Sequence, residues 1–176
     1  GQGKFILKNL PEEAQVSKIY GSVIQDFNGD GYDDIVLVGN DYGSEIGMGR
    51  YDAFNGLVLI GDSSFFTPFY SDRSGFYVPG DAKSSVILYT DKNQLILVGQ
   101  NKDQLLSFSY GQNGNLVSLD RDEKFADVFK DGVRFRKEFY YGSSFISQSS
   151  RKILFNLNVD SIYMYDSNKL NRKIIF

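Results

Sequence analysis

Short apolar runs separated by Gly, Asn and Asp recur along the whole chain, and they limit the fold more than any other feature of the sequence. Each run is bounded by turn-forming residues, as β-strands are. The runs before residue 120 are 20–25, 34–39, 56–60, 65–70, 85–89, 95–99, 105–110 and 116–119, and the later ones are 133–141, 152–157, 161–165 and 172–176. Apolar residues do not recur at helical spacing over any long stretch, and only residues 121–129 are predicted to form a short helix. The pattern predicts an all-β protein.

The first eight runs form two sets of four that resemble each other. Residues 22–24 and residues 85–87 both read Ser-Val-Ile, and the apolar residues 35–40 match residues 95–100. Four antiparallel strands in each repeat is the pattern of a propeller blade. The sequence therefore predicts two propeller-like four-stranded blades.

The predicted domain organisation follows from this repeat. Residues 1–120 hold the two blades, the second of them degenerate, and residues 121–176 form a small C-terminal β segment. Propellers close with about four to eight blades. The two blades are therefore expected to pack on the remainder of a longer propeller protein or on the C-terminal segment.

The composition excludes several kinds of site. The chain has no Cys and no His, which excludes disulfides, thiol nucleophiles, zinc sites built on those residues and catalytic triads with a histidine base. Any metal must be held by oxygen, which favours calcium or magnesium. The net charge of −3 does not suggest a nucleic-acid partner. No apolar stretch approaches the roughly 20 residues of a transmembrane segment.

One loop carries a set of oxygen ligands at regular spacing. Asp26, Asn28 and Asp30 stand at positions one, three and five, Tyr32 at seven would offer its carbonyl, and Asp34 stands at nine. A glycine at position six permits the sharp turn. The spacing predicts a calcium site, and the alternative is an acidic Asn-Gly-Asp-Gly hairpin without a metal.

The loop differs from that of a helix-loop-helix calcium site. Position twelve is Leu37 where such loops need a bidentate Glu, and the flanking runs are β-like. We therefore expect a modest affinity, with a dissociation constant of roughly 10⁻⁴–10⁻³ M, as in extracellular modules. The matching loop of the second repeat, residues 88–94, is shorter and has one carboxylate, so no metal is predicted there.

With strands on both sides, residues 22–38 resemble the FG-GAP repeats of integrin-like propellers and the bacterial VCBS repeats. Both share the pattern of a short strand, Asp-x-Asn/Asp-x-Asp-Gly-x-x-Asp, and an apolar strand. The resemblance implies a propeller blade with calcium in the loop that joins its first two strands. Residues 141–151 also resemble the Gly-Ser-Ser-Tyr-Leu-Ser-Gln segment of the ASPIC/UnbV domain, which follows FG-GAP repeats in exported bacterial proteins. That likeness covers residues 133–176 and implies no catalytic residue.

Two functional hypotheses follow. The first is a non-enzymatic calcium-binding propeller fragment of an exported bacterial protein, secreted, periplasmic or on the cell surface, which acts as a binding, adhesion or scaffolding module for a protein or glycan ligand. The second is an accessory domain of a carbohydrate-active or other hydrolase. The carboxylates Asp33, Asp34 and Asp62 are interpreted as acidic turns, because nothing in the sequence places two of them across a cleft.

The glycine-rich loop of residues 41–55 has two interpretations. In the first, Arg50 and Asp52 pair and hold the loop in place; in the second, the loop contacts a ligand.

Overall fold

The computed structural model describes residues 6–45, 47–90, 93–111, 114–155, 158–167 and 169–176. In these residues the fold is nearly all β, which confirms the predicted class. A 3₁₀ turn at Glu12–Gln15 comes first, and a one-turn helix, α1, lies at Ser71–Ser74. The strands β1 to β13 are, in order, Ile19–Gln25, Asp34–Gly39, Leu57–Gly61, Phe66–Phe69, Ala82–Tyr89, Asn93–Gln100, Leu106–Gly111, Asn115–Ser118, Phe125–Lys130, Val133–Glu138, Lys152–Phe155, Ser161–Asp166 and Lys169–Ile175.

These strands form four antiparallel sheets. The first has the order β1-β2-β3-β4 and the second the order β5-β6-β7. The third is a ribbon of β8 and β11, and the fourth has the order β10-β9-β12-β13. No helix in the described part of the chain is long and apolar enough to cross a membrane.

The first and second sheets share one pairing pattern, including an irregularity. The register shifts between Ile19 and Gly21 in β1, and between Ala82 and Ser84 in β5. These positions lie 63 residues apart, the offset of the two Ser-Val-Ile segments (85 − 22). In the partner strands, Val38 corresponds to Gly99, an offset of 61 (99 − 38). The predicted match of residues 35–40 to 95–100 is therefore displaced by one residue.

This correspondence shows how the two sheets pack. The main core joins Val23, Val36 and Val38 of the first sheet to Ile87, Ile96 and Val98 of the second. Neighbouring strand residues point to opposite faces of a sheet. By the register, Val36 of the first sheet corresponds to Leu97 of the second sheet, but the core residue of the second sheet is its neighbour Ile96. The two sheets therefore contribute opposite faces to the main core. The sheets thus pack front to back, as successive blades of a propeller do.

The other face of the first sheet has its own cover. Leu37, Leu57 and Leu59 are buried there against Ala14, which follows the N-terminal stretch, and Phe54, which precedes β3. Fully burying a Leu side chain stabilises a fold by roughly 1.5–3 kcal/mol. In this chain, Ala14 of the 3₁₀ turn and Phe54 of the loop before β3 therefore cover the face that a preceding blade would cover.

The fourth strand of the second blade differs from the prediction. β8 pairs with β11 and not with β7 in the described residues, so the second sheet has three strands. The alternation of side chains between the two faces of the ribbon explains why β8 pairs with β11. Leu116 and Leu154 face the main core, while Val117 and Phe155 face the core of the fourth sheet. The ribbon therefore buries both of its faces, which it could not do at the edge of the second sheet.

The short helix predicted at residues 121–129 is wrong. Residues 121–122 form a turn, and β9 begins at Phe125. The charged residues and Ala of this stretch favour a helix locally, but Ala126 and Val128 lie on one face of a strand, where both are fully buried in the core of the fourth sheet. Pairing on both sides, with β10 and β12, overrides the local preference.

The loop of residues 41–55 is held in place by contacts other than the predicted pair. No ion pair joins Arg50 to Asp52 in the described residues, and Arg50 instead lies 4.9 Å from the ring centre of Tyr42. The buried side chain of Asn40 anchors the loop, because it accepts from the Phe54 N–H at 3.0 Å and donates to the Phe54 carbonyl at 2.6 Å.

Candidate metal centre

The acidic loop connects β1 to β2, and the last pair of that hairpin is Gln25 with Asp34. Two glycines let the chain reverse: Gly29 has φ of +82° and Gly31 has φ of +99°. These are left-handed conformations, which a Cβ disfavours. The sequence places glycine at both positions, so the loop folds without strain there.

The side chains of the first half of the loop fold over its own backbone. One carboxylate oxygen of Asp26 accepts the Gly29 N–H at 2.7 Å, and the other accepts the Gly31 N–H at 2.8 Å. Asp30 accepts the Tyr32 N–H at 2.8 Å and the Asn28 side-chain N–H at 2.8 Å. Asp26, Asn28 and Asp30 therefore belong to one hydrogen-bonded turn.

Asp34 forms the base of the loop and is fully buried. One of its oxygens accepts the Phe27 N–H at 2.8 Å, and the other accepts the Gly61 N–H at 2.8 Å. Burial raises the pKa of Asp34, the two backbone donors oppose that rise, and the nearby charges of Asp30 and Asp26 add to it. The negative charges of the loop thus act on one another, and a bound cation would relieve this repulsion.

A close backbone approach holds the end of the loop. A Cβ on Gly61 would stand 2.2 Å from the carbonyl oxygen of Asp33, so only glycine fits at this position. Gly61 could not be predicted from the sequence, because it lies 27 residues beyond Asp34 and no local pattern links the two.

The donor set fits calcium in its chemistry. Asp26, Asn28, Asp30 and Asp34 supply oxygens, which calcium prefers, and the glycine backbone leaves the loop open to a tight turn. In the described residues, however, no three acidic side chains converge into one group. Tyr32 donates its N–H within the turn, and its side chain is exposed. The ligand set therefore stays a prediction.

The fourth sheet reaches this loop, a contact that no local pattern in the sequence predicts. Lys137 of β10 forms an ion pair with Asp33. The ammonium of Lys130, at the end of β9, lies 3.6 Å from the position that a Cβ on Gly31 would occupy. Residues more than 95 positions away in the chain thus place two cations beside the acidic turn.

The corresponding hairpin of the second sheet is closed by a shorter turn. Thr90 donates its side-chain O–H and its backbone N–H to the Asn93 carbonyl, at 2.8 and 2.9 Å. The one carboxylate of the sequence-predicted loop, Asp91, lies outside the described residues, as does Lys92. Gln94, a neutral residue, follows the turn and is buried.

Comparison with known proteins identifies part of this region. Residues 21–60 match the family model of the FG-GAP repeat, a span that begins in β1 and includes the acidic loop, β2 and most of β3. No curated protein matches the chain, and no solved structure does. The propeller-like arrangement of the first two sheets agrees with that match, which does not extend to the C-terminal residues that resemble an ASPIC/UnbV domain.

Proposed function

We propose that this chain is a calcium-binding, propeller-type segment of an exported protein and that it serves as a non-enzymatic binding, adhesion or scaffolding module. The observation that carries the proposal is the acidic loop. Its oxygen-bearing residues Asp26, Asn28 and Asp30 share one turn above the buried Asp34, inside the stretch that matches an FG-GAP repeat. Asp26, Asn28, Asp30, the Tyr32 carbonyl and Asp34 would hold the ion.

Calcium in this loop would act on stability. It would neutralise carboxylates that now repel one another, and it would tie the end of β1 to the start of β2. With a dissociation constant of about 0.1–1 mM and free calcium near 1 mM, the gain is roughly 0.4–1.4 kcal/mol.

The far face of the second sheet supports assembly with further blades. Val86, Leu95 and Leu97 are half-buried on that face, and Leu88 is exposed. The equivalent face of the first sheet packs against the second sheet. We propose that the remainder of a longer propeller protein covers this apolar face in the same front-to-back manner.

Two finer points stay proposals. FG-GAP repeats are typical of extracellular and surface-exposed proteins, which favours a secreted, periplasmic or cell-surface location. The resemblance of residues 133–176 to an ASPIC/UnbV domain remains a prediction from the sequence.

A hydrolase role would need two free carboxylates facing each other. The acidic residues of the cleft between the first and fourth sheets are Asp26, Asp33 and Glu138. Asp26 accepts backbone N–H groups of its own loop, Asp33 is paired with Lys137, and Glu138 accepts from the Tyr140 hydroxyl.

Calorimetric titration with calcium tests the proposal. We expect one ion per chain, and we expect Asp30→Ala to abolish measurable binding while the β circular dichroism signal is kept. Asp72→Ala is the matched control, because Asp72 is an exposed carboxylate of α1 outside the loop. Undiminished binding in Asp30→Ala, or two ions in the unmodified protein, would contradict the ligand set.

A further inference from the structure

A cleft of about 590 Å³ lies between the first sheet and the fourth sheet. Residues 22–26 line one side, residues 135–140 line another, and residues 148–155 close the third. Its volume lies within the range of ligand sites, about 300–1,000 Å³. The acidic loop contributes Asp26, Gly31 and Asp33 to one end of the cleft.

Two of these walls are the edges of sheets. β1 is the first strand of its sheet and β10 is the first strand of the fourth sheet, so each is paired on one side in the described residues. Successive side chains of a strand point to opposite faces. A wall made of consecutive strand residues, as here, is therefore formed by the edge of the strand. The cleft is a slot between two strand edges.

The outer edge of β10 has backbone groups available for pairing. Asp131 and Gly132, with φ of +51° and +75°, form a two-residue turn between β9 and β10, and Val133 pairs with Lys130 directly after it. In such a hairpin the flanking pair exchanges its hydrogen bonds inward. Arg134 and Arg136 then direct their N–H and carbonyl groups away from β9.

The slot is also rich in cations. Its lining has five basic and three acidic residues, an excess of two positive charges: Lys130, Arg136, Lys137, Arg151 and Lys152 against Asp26, Asp33 and Glu138. Lys137 is neutralised by Asp33, and Arg136 by Asp127 of the neighbouring strand. In the described residues no carboxylate lies within ion-pair distance of Lys130, Arg151 or Lys152. Arg151 donates to the Asp120 and Glu123 carbonyls and lies 4.4 Å from the ring centre of Tyr141, so its contacts in the described residues are with uncharged groups.

We infer that this slot binds an extended acidic peptide, which adds a strand along the outer edge of β10 and places carboxylates beside Lys130, Arg151 and Lys152. Main-chain hydrogen bonds to an open edge supply affinity in this mode of recognition, and the side chains supply specificity. The inference names a partner for the binding role proposed above. It does not require calcium in the loop.

The test uses the whole chain and a defined probe. The probe is a capped, fluorescein-labelled octapeptide in which Glu alternates with Val or Ser, and its control has Lys in place of each Glu. We expect the acidic peptide to bind at least tenfold more tightly in fluorescence anisotropy. We expect Lys152→Glu to weaken it at least fivefold, because the charge is reversed within the slot.

A pair of variants separates backbone pairing from charge. Arg134→Pro removes an outward N–H on an edge strand, where proline is tolerated, and Arg134→Ala removes the same charge but keeps the N–H. We expect a loss of at least tenfold for Arg134→Pro and less than threefold for Arg134→Ala. If the proline variant does not fold, a probe methylated on alternate backbone amides makes the same distinction with the unmodified protein, and it should lose binding equally.

Several results would overturn the inference. Equal binding of the acidic and basic peptides, or no binding, would reject the slot as an acidic-peptide site. Undiminished binding of the methylated probe would reject strand addition. Binding of a heparin-derived octasaccharide without binding of the peptide would indicate a glycan site. Measurements with calcium and with chelator separate the two proposals, since peptide binding is expected in both and its failure leaves the calcium titration unaffected.

Discussion

The first hairpins of the two blade-like sheets are built alike but closed differently. In the first, the pair Gln25–Asp34 is joined by residues 26–33, and in the second, the pair Tyr89–Gln94 is joined by residues 90–93. The strands before and after these loops keep equivalent registers and even the same irregularity. The sheet therefore forms without the acidic loop, which is an addition to a framework that a four-residue turn also closes.

The residue that follows each loop is buried, but the two residues differ in charge: Asp34 follows the acidic loop and Gln94 follows the shorter turn. Gln94 belongs to a neutral network: its side-chain oxygen accepts from Gln25 at 2.7 Å and from the Tyr110 hydroxyl at 2.9 Å, and Gln25 accepts from the Tyr89 hydroxyl at 2.8 Å. Burial raises the pKa of Tyr89 and of Tyr110, so both hydroxyls stay protonated donors. At the other hairpin, Asp34 brings a charge into the interior, and backbone donors must compensate it.

The largest effect expected from this difference is that of Asp34→Ala. The change leaves the partly buried N–H of Phe27 and the buried N–H of Gly61 without acceptors, at a cost of about 1–3 kcal/mol for a fully buried group. We expect the free energy of unfolding in chelator to fall by about 2–4 kcal/mol, measured by urea denaturation. Asp33→Ala is the control, since Asp33 is a half-exposed neighbour, and it should cost less than about 1 kcal/mol. Equal losses would show that Asp34 matters only through calcium.

Gly61→Ala tests the same region from β3. The register makes Tyr110 the counterpart of Gly61 in the second sheet, where a shorter turn closes the hairpin. In the first sheet the longer loop brings the Asp33 carbonyl to 2.2 Å from the added Cβ. Forcing an atom into such a contact costs about 1–3 kcal/mol. Gly111→Ala in β7, where no atom lies within 4 Å of the Cβ, should change the melting temperature much less, and a reversed order would contradict the geometry.

Calcium itself is expected to have a moderate effect on stability. A gain of roughly 0.4–1.4 kcal/mol at 1 mM calcium corresponds to a rise of a few degrees in the melting temperature for a chain of this size. Differential scanning calorimetry with calcium and with chelator measures it, and Asp30→Ala should show no difference between the two. Identical melts of the unmodified protein would argue against an occupied loop. Unfolding in chelator would show that the framework depends on the ion after all.

The comparison also explains what the sequence could and could not predict. Strand positions in both sheets followed from local alternation and turn residues, which act over a few positions. The oxygen-bearing residues of the acidic loop share one turn for the same reason. Gly61, Lys130 and Lys137 contact the loop only once the sheets have assembled. β8 pairs with β11 and not with β7, because its two faces pack into two separate cores. Contacts of this kind depend on the tertiary fold and leave no local pattern.

The smallest expected effect is that of Lys137→Ala, which sharpens the comparison because the second hairpin has no such partner in the described residues. The ion pair of Lys137 with Asp33 is largely exposed, so its loss should change the free energy of unfolding by less than about 1 kcal/mol. Calcium affinity, in contrast, should increase. Removing a positive charge beside the acidic turn weakens the repulsion of a divalent cation, which predicts a calcium dissociation constant lower by roughly two- to fivefold. Titration calorimetry at low and at high salt checks it: the gain should shrink at high salt, and Lys173→Ala, a lysine outside the loop and the slot, should leave the affinity unchanged. A weaker affinity in Lys137→Ala would mean that the lysine holds the loop in its binding conformation and does not compete with the ion for its charge.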